Sequence, residues 1–236
     1  MKLVVEDICK SFGEKQVLKN IHYTFEQGKI YGLLGRNGAG KTTFFNCLNK
    51  DIPVEQGKFQ IGEESLREVT IEDIGYVLST PQVPEFLTGR EFLKFFVDIN
   101  KDKIKDLKSL DAYFDFMQIA PEDRDKLLKD YSHGMKNKMQ MLINIIANPN
   151  ILLLDEPLTS LDVVVAEEMK QMLRQIKKDH IIIFSTHIMD LALSLCDEIV
   201  VLSNGELQDV HKDSIDEKEL KENIMTILKG EKDYAK

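Results

Sequence analysis

The sequence predicts an α/β fold with a mainly parallel core sheet, an antiparallel β-subdomain and an inserted helical subdomain. Short, continuously apolar runs at 151–154 and 181–184 are typical of strands that a parallel sheet buries on both faces. Residues 88–128 instead show helical periodicity, and the first 77 residues contain short strands separated by turns. Together these observations give the fold class and its three parts.

A glycine-rich loop lies between a short apolar strand, 29–34, and a helical segment, 43–49. The loop consists of Gly35, Arg36, Asn37, Gly38, Ala39, Gly40, Lys41 and Thr42, and Thr43 follows it. Its spacing fits G-x-x-x-x-G-K-[ST], in which glycines let backbone N–H groups turn towards an anion. The lysine provides a charge for the β- and γ-phosphates, and the threonine hydroxyl reaches magnesium. Because strand, loop and helix come in this order, the segment indicates the P-loop of a P-loop NTPase that binds ATP or GTP.

The segments on either side of this loop have the pattern of strands. Strand-like pieces at 3–5 and 21–25 are separated by turn residues such as Gly13 and Gly28. A second β-rich stretch, 57–77, follows the P-loop helix. Short strands joined by turns predict an antiparallel sheet beside the nucleotide site.

Helical signals then take over. Thr88 and Glu91 form a capping-box pair that predicts a helix start. Two apolar sets follow at helical spacing and predict helix faces: Phe92, Phe95, Phe96 and Ile99, then Leu107, Leu110, Phe114 and Met117. We therefore predict a helical subdomain within an α/β body. The single domain divides into a β-subdomain with the P-loop, the helical subdomain, the rest of the RecA-like core and a helical tail, at 1–77, 78–135, 136–210 and 211–236.

The α/β pattern returns after the helical subdomain. An amphipathic helix between the two apolar runs is marked by Val165, Met169, Met172 and Ile176. Strands at 198–202 and 207–210 flank Asn204 and Gly205, a strong tight-hairpin signal. In the tail, the capping pair Ser214 and Glu217 precedes apolar residues at helical spacing. We interpret the tail as a helix packed on the body, the alternative being a dedicated partner site.

The charge and composition of the chain limit the kinds of partner that we expect. The formal net charge of −9 argues against a nucleic-acid partner, which needs a basic surface. No apolar run approaches the roughly 18 residues that span a bilayer, and Glu6 and Asp7 come too early for a signal peptide. Three cysteines without metal-binding spacing indicate reduced thiols in the cytosol. We therefore expect a cytoplasmic protein that meets the membrane only through a partner.

Two acids and a histidine follow the ends of the apolar strands. Asp155 and Glu156 come directly after 151–154, and His187 comes directly after 181–186. Strand ends in open α/β sheets face the ligand crevice. One carboxylate there can hold magnesium through water, and the next can orient or deprotonate the attacking water. The alternatives are solvated acids at a strand end and a structural histidine.

A five-residue segment between the helical subdomain and these acids indicates which kind of P-loop protein this is. It reads Tyr131, Ser132, His133, Gly134 and Met135. In this position the segment resembles the L-S-G-G-Q signature of the ATP-binding cassette (ABC) family, and specifically the ATP-binding subunits of ABC transporters. The resemblance covers about 3–210, with motifs in the family's order.

The resemblance implies roles for individual residues. Phe12 would stack on adenine, and Val17 would help to line that pocket; the alternative for Phe12 is a core residue of the β-subdomain. The stretch 35–43 matches the Walker A loop. The other matches are the Walker B aspartate at Asp155, the catalytic glutamate at Glu156, the D-loop at Ser160, Leu161 and Asp162, and the switch histidine at His187.

The family also implies that two such subunits sandwich two ATP molecules with their Mg²⁺ ions. Each ATP would lie between the P-loop of one subunit and the signature of the other. Ser132 and the backbone N–H groups of His133 and Gly134 would then face the γ-phosphate from a helix N-terminus.

The sequence departs from the family pattern twice. His133 replaces the first signature glycine, a variation that resembles the drug and bacteriocin exporter branch. Ser79 stands where the family has a glutamine that contacts magnesium and senses the permease, and Gln82 lies three residues later. Because serine reaches less far than glutamine, either residue is a candidate for this position in the magnesium shell.

These observations predict an ATPase subunit that energises a transmembrane permease, with export as the expected direction. Its partners would be the permease and a second ATP-binding subunit, in a homodimer or a heterodimer, on the inner face of the cell membrane. Two alternatives stay open: an ABC ATPase that acts without a permease, and a subunit that closes on ATP without turnover as half of an asymmetric pair.

Overall fold

A computed structural model describes residues 1–102, 104, 106–159, 161–210 and 216–229. Within these residues the smaller of two sheets is antiparallel and four-stranded. Its strands are β1 (Lys2–Phe12), β2 (Lys15–Glu26), β4 (Gln56–Gly62) and β5 (Leu66–Glu68). Their order is β2-β1-β4-β5, so both neighbours of β1 run against it. The predicted antiparallel β-subdomain is confirmed.

The larger sheet carries the core of the fold. It contains β3 (Ile30–Leu34), β6 (Ile74–Val77), β7 (Ile151–Asp155), β8 (Ile181–Thr186), β9 (Glu198–Ser203) and β10 (Glu206–Val210). Its order is β10-β9-β3-β8-β7-β6, and every pair is parallel except β9 with β10. That exception is the predicted hairpin, whose turn residues Asn204 and Gly205 both have positive φ. The mainly parallel core sheet is therefore confirmed.

One strand lies in a different sheet from the one predicted. Strand β6 lies in the stretch 57–77 that was predicted to be antiparallel, but it pairs in parallel with β7 at the edge of the core sheet. The prediction is wrong for this strand, because turn residues and apolar alternation do not reveal which distant strand becomes the hydrogen-bonding partner.

Helices surround the core sheet. They are α1 (Lys41–Leu48), α2 (Gly89–Asn100), α3 (Leu110–Phe116), α4 (His133–Ile146), α5 (Val163–Ile176), α6 (Met189–Leu195) and α7 (Glu217–Lys229). The Thr88 and Glu91 capping box at the start of α2 is confirmed, with Glu91 N donating to Thr88 Oγ1 at 3.1 Å. Among the described helices, none combines the length and the apolar character needed to cross a bilayer.

The core-facing side of α2 differs from the prediction. Leu93 and Val97 are buried, whereas Phe95 and Ile99 are 59% and 64% exposed. Phe92 and Phe96 lie at the margin, half-buried against the core. The helix thus packs against the core through Gly89, Leu93 and Val97, which are four residues apart. Its other apolar side, with Phe95 and Ile99, faces outwards. Leu107 is likewise exposed and precedes α3, so it is not part of the predicted helical face.

The tail forms the predicted helix on the body. Leu220 and Ile224 of α7 are buried within the main hydrophobic cluster, and Ser203 Oγ at the end of β9 donates to the Ile227 carbonyl at 2.9 Å. This supports packing on the body over a dedicated partner site. The capping residue Ser214 lies outside the described residues.

The core sheet is buried on both faces, which explains its continuous apolar strands. Along β8, Ile182 and Phe184 belong to the cluster that contains α4 and α5. Ile181 and Ile183 belong to the opposite cluster, which contains α1 and the antiparallel sheet. Successive side chains of a strand point to opposite faces, so each face contributes to its own core. Parallel pairing also places the carboxyl ends of β3, β7 and β8 at one edge.

A buried carboxylate joins the two sheets. Asp73 accepts a bidentate pair of hydrogen bonds from Arg67 of β5, both at 2.6 Å. It also accepts from Thr70 N at 2.9 Å and from Asn150 Nδ2, just before β7, at 2.7 Å. The Arg67 guanidinium, helped by the Thr70 and Asn150 donors, holds the pKa of Asp73 well below its usual range. The ionised Asp73 side chain therefore links β5 of the antiparallel sheet to the start of β7 in the core sheet.

We expect Asp73→Asn to lower the free energy of unfolding by about 1.5–3 kcal/mol at pH 7, since it weakens charge-assisted hydrogen bonds. The folded pKa lies below the unfolded value of about 3.9, so this stabilisation is present above about pH 4 and is lost as the pH falls further. Urea unfolding at pH 7 and near pH 3 should show a deficit that shrinks in acid. Glu122→Gln, at an exposed carboxylate, is the matched control. An equal deficit at both pH values would contradict this account.

Candidate active site

The P-loop forms a compact turn between β3 and α1. Gly38 and Gly40 have φ of +80° and +110°, where a side chain is strained. A Cβ on Gly40 would also lie 3.0 Å from Val17 Cγ1. Lys41 folds back beneath the loop, and its Nζ donates to the Gly35 carbonyl at 2.8 Å and the Arg36 carbonyl at 3.3 Å. The loop thus has the shape that the spacing predicted, with its lysine already under it.

Glu156 lies at the centre of the charged groups. Its Oε1 is 3.5 Å from Lys41 Nζ, and its Oε2 is 3.0 Å from His187 Nδ1. Thr159 Oγ1 donates to the same Oε2 at 3.4 Å. The backbone of Glu156 has φ of +49°, a left-handed conformation that non-glycine residues adopt rarely. The strand end therefore turns sharply and aims this carboxylate at the P-loop lysine.

Thr42 and Asp155 bring a hydroxyl and a carboxylate oxygen close together. Thr42 Oγ1 donates to Asp155 Oδ2 at 2.9 Å. Neighbouring ligands of an octahedral Mg²⁺ at about 2.1 Å are about 3.0 Å apart. A hydroxyl and a carboxylate at this spacing, beside a phosphate-binding loop, fit a magnesium ion that completes its shell with phosphate and water oxygens. Burial and the Asp155 charge raise the pKa of nearby Tyr76, so its phenol stays protonated.

Ser185 is a site residue that the sequence analysis missed. In the parallel register it stands opposite Asp155. Its Oγ donates to Asp155 Oδ1 at 2.6 Å and accepts from Glu156 N at 3.0 Å. It therefore orients both acids from the neighbouring strand. The available signal was a small polar residue at the end of an otherwise apolar run, directly before Thr186 and His187.

The signature segment caps a helix at a separate place. Ser132 Oγ accepts from Met135 N at 3.2 Å as the N-cap of α4. His133 is exposed in the first turn, and a Cβ on Gly134 would lie 3.3 Å from Val165 of α5. Among the residues that the structure describes, no hydrogen bond or ion pair joins this segment to the P-loop. Its ATP contact stays a prediction that requires a second subunit.

The predicted adenine pocket is open to solvent. Phe12 is 52% exposed, with Lys10 Nζ 5.3 Å above its ring, so the alternative of a core residue is wrong. Val17 lines a cavity of about 390 Å³ beside the loop, together with Arg36, Asn37, Gly38 and Ala39. The β9–β10 hairpin also lines this cavity, and its turn contacts β2, where Lys19 N donates to the Gly205 carbonyl at 2.7 Å. Stacking of Phe12 on adenine stays a prediction.

The two candidates for the glutamine position lie after β6, next to the acids in the sheet. Val77 pairs with Leu154, so the following loop leaves the sheet beside Asp155. Ser79 and Gln82 are both exposed. Gln82 N donates to Gln140 Oε1 at 3.3 Å, and neither candidate bonds to Thr42 or Asp155 in the described structure.

The predicted D-loop is described only in part. Asp162 caps α5 by accepting from Val164 N and Val165 N, both at 3.0 Å. Ser160 lies outside the described residues.

The assembled geometry agrees with the comparisons to known proteins. A family model described as "ABC transporter" matches residues 18–159. The chain belongs to the ABC transporter family. This ABC chain is 31% identical over 207 residues to the uncharacterized ABC transporter ATP-binding protein YxlF of Bacillus subtilis (strain 168), covering 87% of this chain and 69% of that protein. It is 32% identical over 207 residues to the uncharacterized ABC transporter ATP-binding protein MJ1023 of Methanocaldococcus jannaschii, covering 87% and 75%.

A solved structure shares the fold. It is the ADP conformation of MJ1267, an ATP-binding cassette of an ABC transporter, with a TM-score of 0.78 and 20% identity, covering 97% of this chain and 98% of that one. The identity is low, so the likeness establishes the common fold. Together with the family match, it makes this protein an ABC ATPase that binds ATP.

We expect Ser185→Ala to reduce the ATPase rate about 10- to 100-fold and to raise the Mg²⁺ concentration needed for half-maximal rate, because both acids lose their orienting hydroxyl. Steady-state ATPase assays over a Mg²⁺ titration measure both effects. Ser194→Ala is the control, because the Ser194 hydroxyl donates to the Leu191 carbonyl within an exposed helix turn. An unchanged rate and an unchanged Mg²⁺ dependence would contradict the assigned role.

Proposed function

We propose that this ABC ATPase energises a transmembrane permease through closure of an ATP-bound dimer. The observation that carries the catalytic part is the position of Glu156. Its carboxylate lies between the P-loop lysine and His187, at a strand end held by Ser185. A carboxylate so placed can accept a proton from a water that attacks the γ-phosphate.

The P-loop would hold the phosphates. Backbone N–H groups of 35–43 would cradle the anion at the N-terminus of α1, and Lys41 would contact the β- and γ-phosphates. Thr42 and Asp155 would hold Mg²⁺, with Ser79 or Gln82 as a further ligand. When bound, that ion neutralises charge that develops on the phosphate oxygens. Phe12 and Val17 would receive the adenine.

ATP would also rearrange the charges around Glu156. Lys41 Nζ is 3.5 Å from this carboxylate, and a γ-phosphate would compete for the same ammonium group. The Glu156 carboxylate would then lose this cationic partner and be free to accept a hydrogen bond from the attacking water. His187 holds the other carboxylate oxygen through Nδ1 at 3.0 Å, which leaves Nε2 for the phosphate. The distances and the family resemblance together support these proposed roles.

A second ATP-binding subunit would complete each site. The support is that Ser132 and His133 are exposed at the start of α4, and that no hydrogen bond or ion pair joins the signature to the P-loop among the described residues of this chain. A helix N-terminus attracts phosphate through its unpaired N–H groups. In a dimer the signature of one subunit would therefore meet the ATP of the other, in a homodimer or a heterodimer.

The helical subdomain would dock the permease, on the inner face of the cell membrane. In the part of this subdomain that the structure describes, four large apolar side chains are more than half exposed: Phe86, Phe95, Ile99 and Leu107. Large exposed apolar side chains are typical of an interaction site. The 79–82 loop leads from the acids towards this surface and would report nucleotide state to the permease. Export is the proposed direction, and it rests on the exporter-like His133.

We expect Glu156→Gln to lower the ATPase rate by at least about 100-fold while MgATP binding persists, because only the proton acceptor is lost. Light scattering should show a dimer of this variant with MgATP and a monomer with MgADP. Lys41→Ala should lose nucleotide binding itself, and Glu206→Gln, at an exposed carboxylate, should behave like the wild type. A wild type as inactive as Glu156→Gln, with ATP still bound, would instead favour an ATP-binding switch.

We expect Phe95→Lys combined with Ile99→Lys to abolish copurification with a polytopic membrane protein, and stimulation of ATPase activity by that protein. Basal ATPase activity of the isolated chain should be unchanged, since both side chains are exposed and outside the site. Met225→Lys, an exposed apolar residue on α7, is the control. Normal cellular function without any such membrane partner would favour an ABC ATPase that acts without a permease.

A further inference from the structure

A cavity of about 270 Å³ lies at the amino edge of the core sheet. It is lined by residues of α3, of the ends of α4 and α5, and by His180, which directly precedes β8. Asp155 and Glu156 lie at the opposite, carboxyl edge. The six residues of β8 separate the two edges by about 20 Å. The cavity is therefore distinct from the candidate active site, and the two have no described residue in common.

The inner wall of this cavity is apolar. Leu142 and Ile146 of α4 and Ile176 of α5 form it, and all three are buried in the main hydrophobic cluster. Ile145 of α4 is half-buried and Phe116 of α3 is exposed, so these two side chains line the cavity nearer to solvent. A concave apolar surface of this kind binds the hydrocarbon part of a ligand.

The stretch before α3 forms another wall, and hydrogen bonds hold it in place. Tyr113 Oη accepts from Lys108 N at 3.2 Å and donates to the Asp106 carbonyl at 3.3 Å. Because the Tyr113 side chain is buried, its phenol fixes this stretch from the inside. At the rim, Lys108 Nζ lies 3.5 Å from Asp106 Oδ2. The two charges on this wall therefore offset each other.

His180 provides a buried polar atom in the lining. The residue is 3% exposed. Its Nδ1 lies 2.6 Å from the Pro149 carbonyl, which can only accept, so Nδ1 carries the proton. The backbone of His180 is also fixed, since its N–H donates to the Lys177 carbonyl at 3.2 Å and its carbonyl accepts from Gly28 N at 3.1 Å. The ring therefore has one defined orientation and one defined tautomer.

The other ring nitrogen is a hydrogen-bond acceptor. Burial lowers the pKa of His180, so the imidazole is neutral at pH 7 and Nε2 carries no proton. Among the residues that the structure describes, none donates a hydrogen bond to Nε2. Nε2 lies across the ring from Nδ1, and His180 is part of the cavity lining. Nε2 is thus the polar atom that this ring offers to a ligand.

We propose that this cavity binds a small, neutral organic molecule with two fused rings and one hydroxyl group. The apolar wall would cover the rings, and the hydroxyl would donate to His180 Nε2. An apolar cavity of roughly 150 Å³ holds benzene, so a cavity of about 270 Å³ has room for two fused rings. The hydroxyl follows from the neutral imidazole, because buried acceptors are normally hydrogen-bonded.

The distribution of charge favours a neutral ligand. The charged residues that line the cavity, Asp106, Lys108 and Asp179, are all exposed. The buried part of the described lining contains no ionised side chain. An ionic group placed against Leu142 and Ile146 would lose its hydration without gaining a counter-ion.

Binding of 2-naphthol to the full chain at pH 7.5 tests this site. The chain contains no tryptophan, so the fluorescence of the probe can be followed without a competing indole signal. 2-Methoxynaphthalene has the same rings without a donor and should bind at least about tenfold more weakly, since the bond to Nε2 is lost. 2-Naphthoate and 2-naphthylmethylammonium, which carry opposite charges, should also bind more weakly than 2-naphthol.

Two variants separate the polar and the apolar parts of the site. His180→Asn keeps a donor for the Pro149 carbonyl and removes Nε2, so it should bind 2-naphthol and 2-methoxynaphthalene with equal affinity. Ile145→Phe fills the cavity and should bind neither probe. Ile143→Phe is the matched control, because Ile143 is a half-buried residue of the same helix outside the lining. Melting temperatures show that each variant is folded, and His180→Asn keeps the test decisive if Ile145→Phe is not.

Each titration is repeated with saturating MgAMP-PNP, a non-hydrolysable ATP analogue, and 2-naphthol should still bind. A probe that nucleotide displaces and that Ile145→Phe still binds would lie at the nucleotide site, which would overturn the proposal. Absence of binding to the wild type, or unchanged binding to folded Ile145→Phe, would overturn it as well. Equal wild-type affinity for 2-naphthol and 2-methoxynaphthalene, or tighter binding of a charged probe, would overturn the assigned class of ligand.

Discussion

The parallel alignment of β3, β8 and β7, each buried on both faces, is the constraint on which the rest of the molecule depends. Hydrogen bonding in register ends the three strands at one edge of the sheet. The P-loop, Asp155 and Ser185 meet there because their strands stop together. Two separate hydrophobic clusters, one on each face, fix this register, since a slip of one residue would exchange their side chains.

Backbone strain at Glu156 and the charged side chains around it form the site at the end of β7. Glu156 adopts a left-handed backbone that the Ser185 hydroxyl and carbonyl hold through its N–H. Its carboxylate contacts the Lys41 ammonium group and the His187 imidazole. Strain of this kind persists where surrounding contacts determine it fully. The same serine fixes Asp155, so a single hydroxyl sets the directions of both acids that the chemistry would use.

Helix α4 connects this edge to the outer surface. It starts at the signature, packs against β6 and contacts α5 through the half-buried Lys138–Glu168 ion pair at 2.7 Å. The exposed apolar residues Phe95 and Ile99 lie on α2, which packs against α4. Nucleotide, a second subunit and a membrane partner would therefore all act on one packed unit, in which small shifts select between discrete arrangements.

The sequence by itself determined the elements with strong local signals. The P-loop, the buried strands, the Asn204–Gly205 hairpin and the Thr88 capping box depend on short spacing, glycine conformation and apolar runs. Tertiary structure alone decided which sheet β6 joins, which edge of α2 faces solvent, and that Ser185 orients Asp155 and Glu156. Each of these depends on residues far apart in the chain, so no local pattern encodes it.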